Sequence, residues 1–309
     1  MKQGRWIRQF VLPLVAAIIW GTAFVFQSDS AEHIEPFTFN ALRGAVAVAF
    51  LALVLLGRRL LPQYREYKAR TKQQKRALLV GGFVCGTLLT VASNLQQLGI
   101  EHTTTGKAAF ITALYVVLVP LFALIFFHRR QGMALWISVG VAVVGLYFLC
   151  FHGAERVSIG DIYVLLCAFA FAAQIMAIDR FGSRLDGIEL SLVQFAVVTV
   201  WSSIGMLLTE HPTLEAILAC VPAILFVGVM SSGVAYTLQI IAQKDANPAV
   251  VSLLLSLESV VATAAAVLMR GEWMTGREML GSALMLIAVV LAQIPTAFWR
   301  KVLPIGRKE

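Results

Sequence analysis

The chain has 309 residues, of which 59% are apolar and only 14% are charged, and its mean hydropathy is +0.81. This composition excludes an ordinary water-soluble globular protein and indicates an integral membrane protein. The net charge of +8 would suggest nucleic-acid binding in a soluble protein, but here the Lys and Arg residues lie between apolar segments, a pattern that reports membrane topology.

The sequence carries no catalytic or cofactor-binding pattern. The four cysteines lie in or at the ends of apolar segments without C-x-x-C spacing, so we interpret them as packing residues. The five histidines are scattered at segment ends, and neither a Walker A loop nor a G-x-G-x-x-G motif follows a strand. We therefore expect no metal, no cofactor, no nucleic-acid partner and no enzymatic activity.

Ten apolar segments are long enough to cross a bilayer, which takes roughly 17 to 25 helical residues. The predicted fold is therefore an all-α integral membrane protein with ten transmembrane helices. Their approximate ranges are 10–27, 37–56, 77–98, 105–127, 133–151, 161–178, 188–209, 216–242, 248–269 and 277–298.

The basic residues indicate how these helices are oriented, because cytoplasmic loops carry the excess of Lys and Arg. Most of the 25 Lys and Arg residues fall on the side of the N-terminus, including the basic segment 57–76. Both termini are thus predicted to be cytoplasmic. The absence of an N-x-S/T sequon favours a bacterial origin, so we predict a multi-pass protein of the bacterial inner membrane.

Two parts of the chain are similar to each other. The segment from Leu95 to Arg130 and the segment from Leu238 both consist of a Gln-bearing span, a short polar corner and a long apolar span, and Pro120 of the first aligns with Ser259 of the second. Nearer the start of each half, Arg43 aligns with Gln194. Because five spans lie in each half, the second copy begins on the opposite side of the membrane. The sequence therefore predicts two inverted five-helix repeats, 1–151 and 152–309 with a basic tail, around a central cavity.

Two predicted helices carry polar stripes at helical spacing. They are Thr87, Thr90, Asn94 and Gln97 in the third helix and Ser232, Tyr236, Gln239 and Gln243 in the eighth. The first stripe lies nearer the outer end and the second nearer the cytoplasmic end, as inverted symmetry predicts for two vestibules that lead to one site. The alternative is that such side chains only join helices by hydrogen bonds.

Four further residues are candidates for the cavity wall. Trp20 lies about 15 Å into the first helix at 1.5 Å per residue, too deep for an interfacial aromatic belt, and it shares a helical face with Phe24 and Gln27. The other candidates are Thr112, Tyr115 and Gln174. Core packing explains a buried Trp or Tyr equally well.

Arg43 and Glu258 are charged residues within predicted spans, where a charge is costly and suggests a function by default. Their expected depths differ by only about 6 Å, which a long Arg side chain can cover. One interpretation is a structural ion pair that braces the bundle. The other is that Glu258 faces the cavity and couples transport to protons. A stripe of Ser and Thr on the ninth helix lies about 100° from Glu258. If this stripe packs against other helices, Glu258 faces the cavity; if it lines the cavity, Glu258 braces the bundle, and we favour bracing.

Several segments resemble the drug/metabolite transporter superfamily, specifically its ten-span EamA-type members. These are WGTAF at Trp20, FNALRG around Arg43, QQLGIEHTTTGKAAFITALYVVLVP ending at Pro120, and SLESVVATAAAVLMRGEWMTGREMLGSALML from Ser256. The resemblance implies two inverted five-helix repeats around a central cavity and outward movement of small metabolites such as amino acids. Family-typical positions are Trp20, Arg43, Lys107, Pro120, Glu258 and Glu272.

One position departs from the family pattern. Ser259 stands where similar sequences usually have Pro after the Glu, so the sequence does not specify the kink expected in the ninth helix.

We therefore expect a secondary transporter, an exporter or facilitator of small organic metabolites such as amino acids, that works by alternating access. The expected partners are a small-molecule substrate and membrane lipids. The alternative is a membrane-embedded scaffold or accessory subunit whose polar stripes only pack helices. The sequence leaves open the substrate, the direction of transport, the coupling ion and the oligomeric state.

Overall fold

The computed structural model of the chain describes residues 7–60, 71–103, 105–150, 157–244, 246–270 and 273–293. All regular structure within these ranges is helical. Glu272, the middle of the basic segment 57–76 and the predicted basic tail lie outside the described residues, as does the side chain of Lys107.

Ten helical spans form the described part of the bundle. We number them α1 Ile7–Ala31, α2 Pro36–Leu60, α3 Lys72–His102, α4a Thr105–Ala113 with α4b Tyr115–Ile125, α5 Met133–Cys150, α6 Ile159–Gly182, α7 Gly187–Thr209, α8 Val221–Gln243, α9a Pro248–Leu255 with α9b Glu258–Arg270, and α10 Gly276–Gln293. Eight of them are long and apolar enough to cross a membrane, and the 18-residue α5 and α10 pack against each other. The ten-helix, all-α prediction is confirmed.

Helix packing follows an inverted repeat in which each helix of the first five corresponds to the helix five places later. Three contacts join corresponding helices, namely α2 with α7, α5 with α10 and α4b with α9a. The others occur in corresponding pairs, because α3 packs on α6 and α7 just as α8 packs on α1 and α2. We call the face where α1 begins the proximal face and the opposite face the distal face.

Apolar side chains divide between the core and the outer surface. The largest buried cluster joins α1, α4b, α5, α6, α9 and α10 and includes Leu146, Leu255 and Met285. Large exposed apolar residues such as Leu53, Phe83 and Leu207 lie on the outside of the bundle, where a bilayer supplies their apolar surroundings.

Two corresponding helices, α4 and α9, are interrupted near the middle of the bundle. The break in α4 falls at Leu114, whose amide donates to Ile111 O at 3.2 Å. Both pieces therefore meet at a short turn with tightened hydrogen bonding. Pro120 lies six residues further on, within α4b, and has no N–H to donate to the carbonyl four residues before it.

The break in α9 forms without a proline. It falls at Ser256 and Leu257, where the amide of Leu257 donates to Leu254 O at 3.3 Å. The hydroxyls of Ser252 and Ser256 donate back to the carbonyls of Ala249 and Leu253, at 2.9 and 2.8 Å. Such back-bonding bends helices, so serines produce the interruption that the sequence did not specify.

Helix α8 contains a nine-residue π-helical segment, Val227–Ala235. Its last bond runs from the amide of Tyr236 to Ser231 O, five residues back. Gly228 lies within this segment, and a Cβ there would come within 2.7 Å of the Val46 Cβ and 2.9 Å of Arg43 O. The glycine therefore lets α8 approach the backbone of α2 beside Arg43. π-Helical turns occur frequently at functional sites.

Candidate functional site

A cavity lies in the middle of the bundle, beside the breaks in α4 and α9. Eight of the ten predicted site residues line it. Trp20, Arg43, Thr112 and Tyr115 come from the first repeat, and Gln174, Tyr236, Gln239 and Glu258 come from the second. Two corresponding broken helices and residues from both repeats thus meet at one central space, as in transporters built from inverted repeats.

The cavity is narrow. The empty space between its lining atoms is about 490 Å³, but that figure also counts space open to solvent. The part that the centre of a water molecule can occupy is about 40 Å³, roughly three times the 10–15 Å³ that one water needs. This space is therefore enough for about three water molecules.

Arg43 and Glu258 do not form the ion pair that one interpretation of the sequence expected. The guanidinium NH1 of Arg43 donates to Gln27 Oε1 at 3.1 Å, and Glu258 Oε1 accepts from Tyr115 Oη at 3.0 Å. Both charged residues are buried, with 4% and 6% of their surface exposed. Each has a neutral partner, and among the described residues no ion pair joins them. The bond from Tyr115 does connect α4b to α9b, so Glu258 both contacts the other repeat and lines the cavity.

Four polar atoms of the cavity-lining side chains have no hydrogen-bond partner within the described protein. They are Trp20 Nε1 and Arg43 Nε, which are donors, and Gln174 Oε1 and Gln239 Oε1, which are acceptors. Leaving a buried polar group unsatisfied costs about 1–3 kcal/mol. A bound polar solute or water could satisfy donors and acceptors together.

Aromatic rings form part of the cavity wall. The ring of Trp20 lies 4.7 Å from that of Tyr236, and Phe195 supports Tyr236 from behind at 5.3 Å. Next to Trp20, a Cβ at Gly21 would lie 2.6 Å from Glu258 O and 2.6 Å from the Val261 Cβ. Gly21 therefore lets α1 contact the start of α9b directly and brings Trp20 close to Glu258.

Asn94 and Gln97 do not line the cavity. The amide of Asn94 joins three helices, accepting from Asn40 Nδ2 at 3.0 Å and donating to Ser202 Oγ at 3.1 Å. Gln97 Nε2 donates to Gln27 O at 3.1 Å. This part of the α3 stripe thus joins helices, which was the alternative interpretation of these residues.

The residue of α3 that does line the cavity is Gln96, whose amide lies 3.4 Å from the hydroxyl of Thr112. It is turned about 100° from Gln97 around the helix. The sequence shows polar side chains on both faces, and spacing alone does not say which face meets α4.

Ser231 is a second lining residue that helical spacing missed. Steps of three and four placed Ser232 on one face with Tyr236, but Ser231 lines the cavity with Tyr236 and Gln239. The reason is the π-helical segment, in which residues five apart are stacked. Gln243, at the end of the predicted stripe, instead donates to Ile175 O at 3.1 Å.

The two repeats are not chemically equivalent at this site. Gln194 was aligned with Arg43, but its Oε1 accepts from Gln174 Nε2 at 3.2 Å, whereas Arg43 donates to Gln27. The second repeat thus has a neutral amide where the first has a cation. Among the described residues, no three His, Cys, Asp or Glu side chains form a group that could hold a metal ion.

Comparison with known proteins agrees with this architecture. The model of the EamA-like transporter family matches the chain twice, over residues 8–151 and 158–293. The chain belongs to the EamA-like transporter family. It is thus a multi-pass membrane protein of a transporter family, with a small-molecule substrate and a lipid environment.

Its relatives include other members that are named as transporters. An uncharacterized transporter of Archaeoglobus fulgidus is 27% identical over 281 residues, which cover 91% of this chain and 84% of the relative. The uncharacterized inner membrane transporter YedA of Escherichia coli is 24% identical over 298 residues, or 92% of each chain. One solved crystal structure matches with a TM-score of 0.73 at 17% identity, covering 95% of this chain and 98% of the other, and it shows the same fold.

Proposed function

We propose that this EamA-family member is a secondary transporter that exports small zwitterionic metabolites, such as amino acids, by alternating access. The observation that carries the proposal is the pair of buried, opposite charges, Arg43 and Glu258, which line one cavity without forming an ion pair. Burying a charge is costly unless it is paired. A zwitterion would supply a partner to each charge.

The chemistry of the lining groups fits such a solute. The guanidinium of Arg43, with its free Nε donor, suits a carboxylate. The carboxylate of Glu258 and the ring faces of Trp20 and Tyr236 suit an ammonium group. The unpaired amide oxygens of Gln174 and Gln239 add further acceptors. No step of this process changes a covalent bond.

The proposed location is the bacterial inner membrane, with the proximal face and both termini in the cytoplasm. The excess of basic residues on that side supports this orientation, and one relative is named as an inner membrane transporter. We further propose that residues 1–151 and 152–309 act as two halves that rock around the cavity.

Flux into proteoliposomes tests the proposed activity. Purified protein would be reconstituted with amino acids, dicarboxylates, organic cations and nucleosides offered separately. We expect saturable flux of at least one amino acid and at least a tenfold loss in Arg43→Gln and in Glu258→Gln. The matched control is Arg277→Gln, which removes a guanidinium that packs on Tyr147 and Phe148 in α5. This control should keep most of the flux.

The absence of amino-acid flux across the panel, with folded protein in the liposomes, would overturn the proposal and favour the scaffold alternative. The direction of transport is measured in cells. Cells without the gene should contain more of the substrate than cells with the gene, and a lower content in cells without the gene would contradict export.

A further inference from the structure

The helices α2 and α7 are tied together at the distal face by Glu210, the residue after α7. Its carboxylate accepts from the amides of Phe37 and Thr38 at 2.8 and 2.7 Å, and from the Thr38 hydroxyl at 2.7 Å. These donors form the first turn of α2, where free amides and the helix dipole favour an anion. Glu210 is only 7% exposed, so this tie is strong.

The same two helices are tied at the proximal face in a corresponding way. Arg58, near the end of α2, donates to Asp186 Oδ2 at 2.8 Å. Asp186 is the N-cap of α7, and its other oxygen accepts from the amides of Ile188 and Glu189. The side chains of Arg58 and Asp186 are 19% and 24% exposed. Carboxylates therefore hold both ends of the α2–α7 pair, and we call these two contacts the clasps.

Within the described part of the chain, two other side-chain hydrogen bonds join the repeats at the proximal face, and each has an exposed partner. Arg129 donates to Asp179 at 2.6 Å, and Asn247 donates to Gln131 at 2.9 Å. The side chains of Arg129 and Asp179 are 50% and 11% exposed, and an ion pair with a half-exposed partner contributes little net stabilisation. We call these two contacts the latch.

Three of the four latch residues lie at the ends of the two broken helices, and the fourth, Asp179, lies near the end of the continuous helix α6. Arg129 and Gln131 follow α4b, while Asn247 is the N-cap of α9a. The segments α4b and α9a pack against each other. Their far ends are the breaks at Leu114 and at Ser256–Leu257, beside the cavity residues Tyr115, Leu255 and Glu258. Each segment is therefore hinged at the site and held at the surface by weak contacts.

We infer that α4b and α9a form the gate of the proximal face. When the latch releases, α4b and α9a separate from each other about the two breaks and α4b moves away from α6, while the clasps keep α2 and α7 together throughout. The inference rests on the proposed function, because alternating access requires the proximal face to open. It adds which contacts break and which persist.

Cross-linking distinguishes the latch from the clasps. In a background where Cys85, Cys150, Cys167 and Cys220 are replaced by Ser, two cysteine pairs would be joined by a short bifunctional methanethiosulfonate. The latch pair is Arg129→Cys with Asp179→Cys, and the matched clasp pair is Arg58→Cys with Asp186→Cys. We expect cross-linking of the latch pair to reduce flux at least tenfold, reversibly with reductant, and that of the clasp pair to change it less than twofold.

Unchanged flux after latch cross-linking, or a tenfold loss after clasp cross-linking, would overturn the inference. If the clasp variant does not fold, Gly44→Cys with Thr199→Cys replaces it, since a Cβ at Gly44 lies 3.5 Å from the Cα of Thr199 in the same helix pair.

A second readout needs no substrate. Spin labels at Arg130→Cys with Arg180→Cys report the latch, and labels at Arg59→Cys with Arg184→Cys report the proximal clasp, in lipid nanodiscs. We expect two separations at the latch and one at the clasp. One separation at both would contradict the gate. Two separations at the latch without amino-acid flux would support the gate and reject the proposed substrate.

Discussion

The pair α2–α7 and the pair α4–α9 are both built from corresponding helices, yet they differ in structure and in strength. The first pair consists of continuous helices held by a carboxylate at each end, Glu210 buried and Asp186 partly exposed, and by Asn94 in the distal half. The second pair consists of broken helices whose proximal ends are linked by the exposed contact between Asn247 and Gln131. This difference supports the inference that α2–α7 is the frame of the transporter and α4–α9 its moving part.

The largest effect on stability is expected at Glu210, which joins α2 to α7 at the distal face. Glu210→Gln replaces the anion at the first turn of α2 and presents an amide to backbone donors. Since a hydrogen bond to a charged group contributes about 1.5–3 kcal/mol, we expect a loss of about 2 kcal/mol and a clearly lower melting temperature in detergent. Glu215→Gln, in an exposed carboxylate nearby, is the control. Equal melting temperatures for the two variants would contradict the role of α2–α7 as the frame.

A second prediction concerns the contact between α1 and α9b of the moving part. Gly21→Ala places a methyl group 2.6 Å from Glu258 O and the Val261 Cβ. Overpacking of this kind costs about 1–3 kcal/mol of stability. Because the methyl group displaces the start of α9b, next to the break, we expect flux to be largely lost while the protein remains folded. In Gly140→Ala the added Cβ meets nothing within 4 Å. If both variants transport at the rate of the parent, close packing at the α9 break is not required.

The proximal clasp should show a pH dependence of stability. Burial raises the pKa of Asp186, but the hydrogen bond and charge of Arg58 and the amides of Ile188 and Glu189 outweigh burial and lower it. A lowered pKa means that the stabilisation is present above the ordinary pKa of 3.8 and is lost as the pH falls through the folded value.

Asp186→Asn should therefore destabilise the protein by about 1 kcal/mol at pH 7, with the difference from the parent shrinking only below about pH 4. Melting curves between pH 3 and 8 measure this. A difference that grows as the pH falls would contradict the assigned role of Arg58.

The smallest effect on stability is expected at the latch. Arg129→Gln removes an exposed ion pair, whose contribution is about 0–1 kcal/mol, so the melting temperature should hardly move. The proximal gate should nevertheless open more often, and in the background without native cysteines the cavity-lining variant Leu255→Cys should react faster with a water-soluble maleimide. Slower or unchanged labelling would argue against Arg129 as part of the latch.

Much of this organisation could be predicted from the sequence, because a bilayer imposes strict rules. Length and hydropathy specified ten helices, and an odd number per repeat specified inversion. The depth of Trp20 and the cost of burying Arg43 and Glu258 pointed to residues that now line the cavity.

Other features depend on tertiary contacts that spacing does not encode. The choice of Gln96 over Asn94 and Gln97 is made by which helix each side of α3 meets. Ser231 replaces Ser232 because the π-helical segment shifts the register of α8. The ion pair between Arg43 and Glu258 does not form, because depth along two helices does not determine which side chains lie nearest to each other. The nearest hydrogen-bond partners are Gln27 for Arg43 and Tyr115 for Glu258.

The most direct test of the proposed site removes one charge at a time from the solute. Flux of an amino acid that the protein transports would be compared with flux of its methyl ester, which lacks the carboxylate, and of its N-acetyl derivative, which lacks the ammonium group. Binding between Arg43 and Glu258 predicts at least a tenfold lower flux for both derivatives. Flux of either derivative at the rate of the parent amino acid would contradict recognition by these two opposite charges.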